Sequence, residues 1–156
     1  MEIECSIEAG DWPDEAALFG LSHTAVKAAA SALGNKVLEG GEVSILFADD
    51  DFVQGLNSRY RGKDKPTNVL SFASNEGGGP ITPLLGDIVL AQQTIAREAL
   101  DQNKSFDHHL THLLVHGFLH LLGYDHETEG EAEAMEDKER QILATLSIAD
   151  PYGDAP

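Results

Sequence analysis

The chain opens with an alternation: Ile3, Cys5 and Ile7 stand between Glu2, Glu4, Ser6 and Glu8, which predicts a half-buried strand. Asp11-Trp-Pro-Asp then starts a helix running to about residue 33, with Gly34-Asn35 as its stop and Gly20 as a point of interruption. Ala25, Ala28, Ala29 and Ala32 suit close packing of its second half. Gly40-Gly41 is a turn, and residues 43–48 form a strand rich in β-formers. Asp49-Asp50-Asp51 stands just before a short helix, where acidic side chains cap an N-terminus; that reading is preferred to a metal triplet. This helix ends near residues 59–62. Strands at 69–73 and 86–91 flank a loop at 74–83 that contains Gly77-Gly78-Gly79-Pro80 and is expected to be mobile. No Lys-Ser/Thr pair follows it, so it is not a P-loop. Residues 92–100 read as a helix.

Residues 105–122 are apolar almost all round, a pattern that places a helix in the centre of a domain. Ser105 is its N-cap and Gly123 its stop. Thr128-Glu-Gly-Glu131 is a capping box that opens a last helix to about residue 146. Ala132, Met135, Ile142 and Leu146 should face inward there and the acids outward. The tail at 150–156 is expected to be loose. The order β-α-β-α-β-β-α-α-α predicts an α+β fold of one domain, residues 1–156: a mixed four-stranded sheet packed with helices. Strands 69–73 and 86–91 should pair antiparallel, and the others need helical crossovers.

Chemistry enters with the imidazoles of the central helix. Side chains four residues apart share one helix face, so His116 and His120 can aim at a common point. Gly123 lets the chain turn back and bring His126 to the same point. Three neutral imidazoles around a divalent ion leave one tetrahedral position open, the arrangement of a catalytic zinc site. A structural site would be closed by four ligands, usually including cysteine, and the single cysteine is Cys5. One zinc ion with an open position is therefore expected, although nickel, copper and iron also accept imidazole. His112, one turn earlier, is a candidate fourth ligand, but a supporting or packing role suits it better. His108 and His109 should be solvated near the helix start, and His23 has no identifiable partner.

The spacing nearly matches the metzincin peptidase motif H-E-x-x-H-x-x-G-x-x-H, read here as H-G-F-L-H-L-L-G-Y-D-H. Ligands and turn glycine agree, but Gly117 replaces the glutamate that serves peptidases as general base. That argues against peptide hydrolysis.

Composition narrows the choice further. At 156 residues, with 42% hydrophobic and 24% charged positions, the chain suits one folded soluble domain. The alternating, acidic N-terminus is not expected to act as a secretory leader, and no apolar run is long enough to cross a bilayer. One cysteine is compatible with a reducing cytoplasm. The net charge of −17 repels nucleic acid if spread evenly, but it is not. Four of the ten basic residues, Arg59, Arg61, Lys63 and Lys65, fall in one loop, and seven acids crowd residues 127–139. Arginine and lysine can hold phosphate oxygens, and Tyr60 can stack on a base. A phosphate-bearing partner thus has one place to bind.

The block His112-Leu-Leu-Val-His-Gly-Phe-Leu-His-Leu-Leu-Gly-Tyr-Asp-His126 resembles the signature of the YbeY family of bacterial rRNA-maturation endoribonucleases. Residues 57–72, with Arg59-Tyr-Arg61 and Lys65-Pro-Thr-Asn-Val-Leu-Ser-Phe72, and Leu85-Gly-Asp-Ile88 are similar to two further family blocks. Asn68 stands where the family pattern is expected to carry aspartate. The resemblance implies a metal-dependent endoribonuclease specific for single strands, acting in maturation of small-subunit ribosomal RNA and in ribosome quality control. It implies a metal on His116, His120 and His126 and a functional arginine at Arg59. Arg61, Lys63 and Lys65 become candidates for substrate binding, and Asp125 for orienting a ligand or moving a proton. The expected partners are single-stranded RNA, the small ribosomal subunit and ribosome-associated proteins, with neither DNA nor membrane. Two other readings stand beside it: a metzincin-like metallopeptidase, and a non-catalytic ribosome-assembly factor with a structural metal.

Overall fold

A computed structural model describes residues 1–34, 40–76 and 79–153. Asn35, Gly77, Gly78 and the end of the tail, all named above, lie outside the described residues. Strands β1 (Glu2–Ile7), β2 (Glu42–Ala48), β3 (Val69–Ala73) and β4 (Leu84–Ala91) form one sheet in the order β1-β2-β4-β3. Its first three strands are parallel, and β3 pairs antiparallel with β4, as the hairpin reading requires. Helices α1 (Glu15–Leu33), α2 (Asp50–Arg61), α3 (Gln92–Asp101), α4 (Phe106–Leu121) and α5 (Glu129–Thr145) complete the expected α+β order.

The polar residues flanking each helix account for its ends. Asp14, Asp49, Ser105 and Thr128 each accept a backbone N–H of the first turn, so the Asp49 side chain is spent as a cap. Asp50 is spent too, accepting from the backbone and hydroxyl of Thr94 at the start of α3. Gly20 does not interrupt α1, which runs unbroken because the glycine lies on an open face where nothing crowds it. β4 starts at Leu84 rather than residue 86; Leu85 is the extra residue of a bulge, where the pairing with β2 shifts register. At the outer strand, Ile7 is 36% exposed and does not complete the inward alternation.

α4 occupies the middle of the molecule and touches α1, α3, α5, β3 and β4. Leu110, Leu114, Val115, Phe118, Leu119 and Leu121 are essentially without solvent contact. Burial of each such side chain favours folding by roughly 1.5–3 kcal/mol. The opposite face of the sheet is covered by α2, through a smaller cluster of Val53, Leu70 and Val89. Among the described residues no helix is long and apolar enough to cross a membrane.

Contact between α4 and the sheet is closest at Gly117. A Cβ there would stand 3.0 Å from Ile88 Cγ2 and 3.1 Å from Ser71 Oγ, and the Ser71 hydroxyl donates to the Gly117 carbonyl at 2.9 Å. A side chain there requires Ile88 and Ser71 to give by a few tenths of an ångström. Gly117→Ala should therefore lower stability by about 1–3 kcal/mol, seen in urea unfolding as a lower midpoint at unchanged slope.

Candidate metal centre

α4 ends one turn after His116. The backbone N–H groups of Gly123 and Tyr124 fold back onto the carbonyls of His120 and Leu119, and Gly123 adopts φ +96°, which a side chain would resist. This turn returns the chain to the helix end and sets the His126 ring 5.1 Å from that of His120 and 5.9 Å from that of His116. The three histidines offer ligand nitrogens all within 4.8 Å of one another. His116 Nε2 and His120 Nε2 stand 3.1 Å apart. Two nitrogens bound tetrahedrally to one zinc ion stand about 3.3 Å apart, so the donor set fits such an ion. His116 and His120 are half-buried while His126 is exposed, which leaves the cluster open to solvent on one side. Burial, and after it the neighbouring His116 and His126, push the pKa of His120 below the ordinary imidazole value. The ring thus stays neutral and able to ligate.

Behind the cluster lies a residue that the pattern analysis assigned to a solvated acidic face. Glu139 of α5 is fully buried. The His116 Nδ1–H donates to its Oε1, and the Tyr152 hydroxyl donates to its Oε2. His112 Nε2 stands 3.2 Å from that hydroxyl and 3.5 Å from Glu139 Oε2. Burial pushes the Glu139 carboxyl up, but hydrogen bonds from His112, His116 and Tyr152 outweigh it and hold the group at about 2. Burial, together with that carboxylate, raises the Tyr152 phenol well above its ordinary range. A carboxylate on Nδ1 fixes the tautomer of His116 with its lone pair on Nε2, the form a metal requires. His112, His116 and Glu139 also lie close enough together for an ion. The His116 Nδ1 proton is already spent on Glu139, however, so this trio supports the first cluster. His112 lies one turn before the cluster, against Tyr152 and Glu139. The tail is not loose as far as residue 153: Arg140 Nε donates to both Asp150 oxygens, at 3.1 and 3.0 Å, and this salt bridge seats Tyr152.

A cavity of about 850 Å³ opens in front of the three histidines, and Arg61, Lys63 and Lys65 line it. The Arg61 guanidinium is held by the Ser71 carbonyl at 2.8 Å, by Glu76 and by the Phe72 ring. Asn57, buried in α2, donates to the Lys65 carbonyl at 2.9 Å and so pins the basic loop. Asp125 lines the same cavity, and its Oδ1 accepts the His126 backbone N–H at 2.8 Å. Arg59 does not line it; it is exposed on the last turn of α2, beside Tyr60.

His108 is exposed as expected, but His109 is only 3% exposed. Its Nε2 meets Glu98 Oε1 at 2.9 Å, because this part of α4 is covered by α3. Asn68 donates to the same Glu98 oxygen at 3.0 Å and accepts from Val69 N–H. An aspartate at 68 would face Glu98 with a like charge, so the amide suits its partner. His23 is half-buried on α1, away from the cluster.

Sequence reasoning missed Glu139, Asn57 and the Glu98–His109 pair. Glu139 had a signal: it falls four residues after Met135 and three before Ile142, on the inward stripe of α5. Glu139→Gln, with the fold intact by circular dichroism, should weaken zinc binding about 10- to 100-fold in a competition titration against a chelating dye.

Residues 8–147 match the family model described as Endoribonuclease YbeY. A protein of that name from Sinorhizobium medicae is 49% identical, the alignment covering 100% of this chain and 97% of the relative. One from Chelativorans sp. is 54% identical over 96% and 92%. A solution structure of a Thermotoga maritima protein shares the fold at a TM-score of 0.57 and 22% identity, covering 97% of this chain and 99% of that one. With the matching residues spanning nearly the whole chain, the protein belongs to the YbeY family.

Proposed function

We propose that this protein is a metal-dependent endoribonuclease that cleaves single-stranded RNA, acts in maturation of small-subunit ribosomal RNA and in ribosome quality control, and works in the cytoplasm. The observation that carries the reading is an open three-imidazole cluster at the floor of a cavity whose wall holds Arg61, Lys63 and Lys65, in a chain of net charge −17. Glu76, which pairs with Arg61, and Asp125 and Glu127 line the same cavity, so among the described residues Lys63 and Lys65 are the cations free there to meet a phosphodiester. Two of the relatives named above carry the endoribonuclease name, which supports the same reading.

His116, His120 and His126 would hold the ion, zinc being the choice for an all-imidazole set. A divalent ion there supplies Lewis acidity, acidifying water and polarising a phosphoryl oxygen. Arg61, Lys63 and Lys65 bind the backbone phosphates on either side of the scissile one, and Asn57 keeps their loop in place. Arg59, which stands on the last turn of α2 outside this cavity, would have to reach in from beyond its rim to counter the negative charge that grows on the phosphorus oxygens in the transition state. Asp125, through the His126 backbone, holds the turn that presents the third ring.

The peptidase reading lacks a general base. At Gly117 a Cβ would stand 3.0 Å from Ile88 Cγ2 and 3.1 Å from Ser71 Oγ, so the glutamate of the peptidase motif would crowd both. The assembly-factor reading calls for a closed metal site, whereas His126 is exposed.

Chelation should abolish cleavage of a single-stranded RNA, and added zinc should restore it; cleavage that survives chelation would overturn the reading. Arg59→Glu should retain the metal while lowering cleavage at least about 100-fold, the scale of one lost transition-state contact. Normal cleavage would leave the arginine role to Arg61. Imidazole ligands are competent only when neutral, so metal retention should hold above about pH 6.5 and fall as pH drops below it. Elemental analysis after dialysis at stepped pH reads this directly, and full occupancy near pH ~4.5 would contradict three-His ligation.

A further inference from the structure

A second cavity, of about 360 Å³, lies on the other side of His116 from the basic loop. It meets the first cavity at His116 and Asn68, which line both. Glu98, Gln102 and Lys104 of the α3 end, His109 and His112 of α4, and Tyr152 of the C-terminal turn complete its polar wall.

The hydrogen bonds within this wall leave a defined remainder. Glu98 Oε1 is fully used, by Asn68 at 3.0 Å and His109 at 2.9 Å. Its Oε2 has no hydrogen-bond partner among the described residues, and neither does the Lys104 ammonium or the Gln102 side-chain amide. An acceptor and two donors thus converge on one space. Lys104 is partly buried, and burial presses its pKa down even with Glu98 nearby. Glu98 offsets Lys104, and burial keeps His109 neutral. A phosphate at Lys104 would also meet the Glu98 carboxylate, whereas a neutral heterocycle with N–H groups and carbonyl or ring-nitrogen acceptors finds a partner for each.

Resting on the endoribonuclease reading, we propose that this cavity receives one unpaired nucleobase of the RNA, adjoining the nucleotide at the metal cluster. Glu98 Oε2 accepts an N–H from the base's pairing edge, and Lys104 and Gln102 donate to its acceptors. The strand then crosses the three histidines with its phosphates on the basic loop and one base on the opposite side. A base in a duplex has already committed that edge, so the cavity itself selects single strands.

The test uses the full-length protein and a fluorescein-labelled oligouridylate, unmodified or carrying N3-methyluridine at one position at a time. The methyl group removes the N–H that Glu98 would accept. Fluorescence anisotropy should show binding weakened about tenfold by methylation at one position and little at the others, the scale of one charge-assisted hydrogen bond. In Glu98→Gln the amide oxygen must serve Asn68 and His109, leaving NH₂ facing the base. Binding to unmodified RNA should fall by a similar factor, and the methylation difference should disappear. Lys104→Ala, which leaves the Asn68–Glu98–His109 contacts in place, should also weaken binding. The proposal fails if wild-type protein binds no oligouridylate, if no position is sensitive to methylation, or if the sensitivity persists in Glu98→Gln. Cleavage is scored separately. Site-specific binding without cleavage would overturn the endoribonuclease reading and leave the subsite standing, and cleavage indifferent to methylation would do the reverse.

Discussion

A buried carboxylate at the junction of three elements governs this molecule. Glu139 sits on α5 without solvent contact, and an ion removed from water in that way costs several kcal/mol unless its lone pairs are met. They are met from α4 by His116 and His112 and from the C-terminal turn by Tyr152. Each partner is thereby fixed in turn. His116 is held to one tautomer, His112 is held against Tyr152, and Tyr152 is locked down through Asp150 and Arg140. The aim of the cluster's first imidazole is set by charge compensation in the core. The same reasoning explains why a helix as apolar as α4 tolerates so many histidines. His108 lies in solvent, and His109 and His112 each place Nε2 on a partner while Nδ1 stays buried without one.

Packing sets the second constraint. With Gly117 pressed on β3 and β4, the rotation of α4 about its axis is fixed, and His116 and His120 come out beside the sheet and not beneath it. β3 and the basic loop end next to them, since α2, the loop and β3 follow one another in the chain. Asn57 closes that connection with a single hydrogen bond across eight residues. The α2–β3 connection thus brings Arg61, Lys63 and Lys65 to one side of the histidines, and α5 brings Glu139 to His116 from another.

Much of this was legible in the residues. The caps Asp49, Ser105 and Thr128, the β3–β4 hairpin and the convergence of His116, His120 and His126 follow from local rules of spacing and hydrogen bonding, which act within a few residues. What was not legible depended on distant neighbours. Glu139 reads as one more acid in an acidic helix until α4 is packed against it. His109 reads as an exposed residue of a first turn until α3 covers it. The ordered Tyr152 follows from Arg140, ten residues before Asp150. Ile7 fails in the opposite sense, because an inward position on an edge strand is buried only where something lies over it.

The turn at Gly123 has a consequence for selectivity among ions. Two donors stand on one helix, whereas the third stands on an exposed turn outside it. A donor set drawn from two elements does not by itself enforce one ionic radius. Discrimination then falls to intrinsic imidazole affinity, which rises along the first transition row to copper, and to supply in the cell. The occupant of a purified sample will report on growth medium as much as on protein.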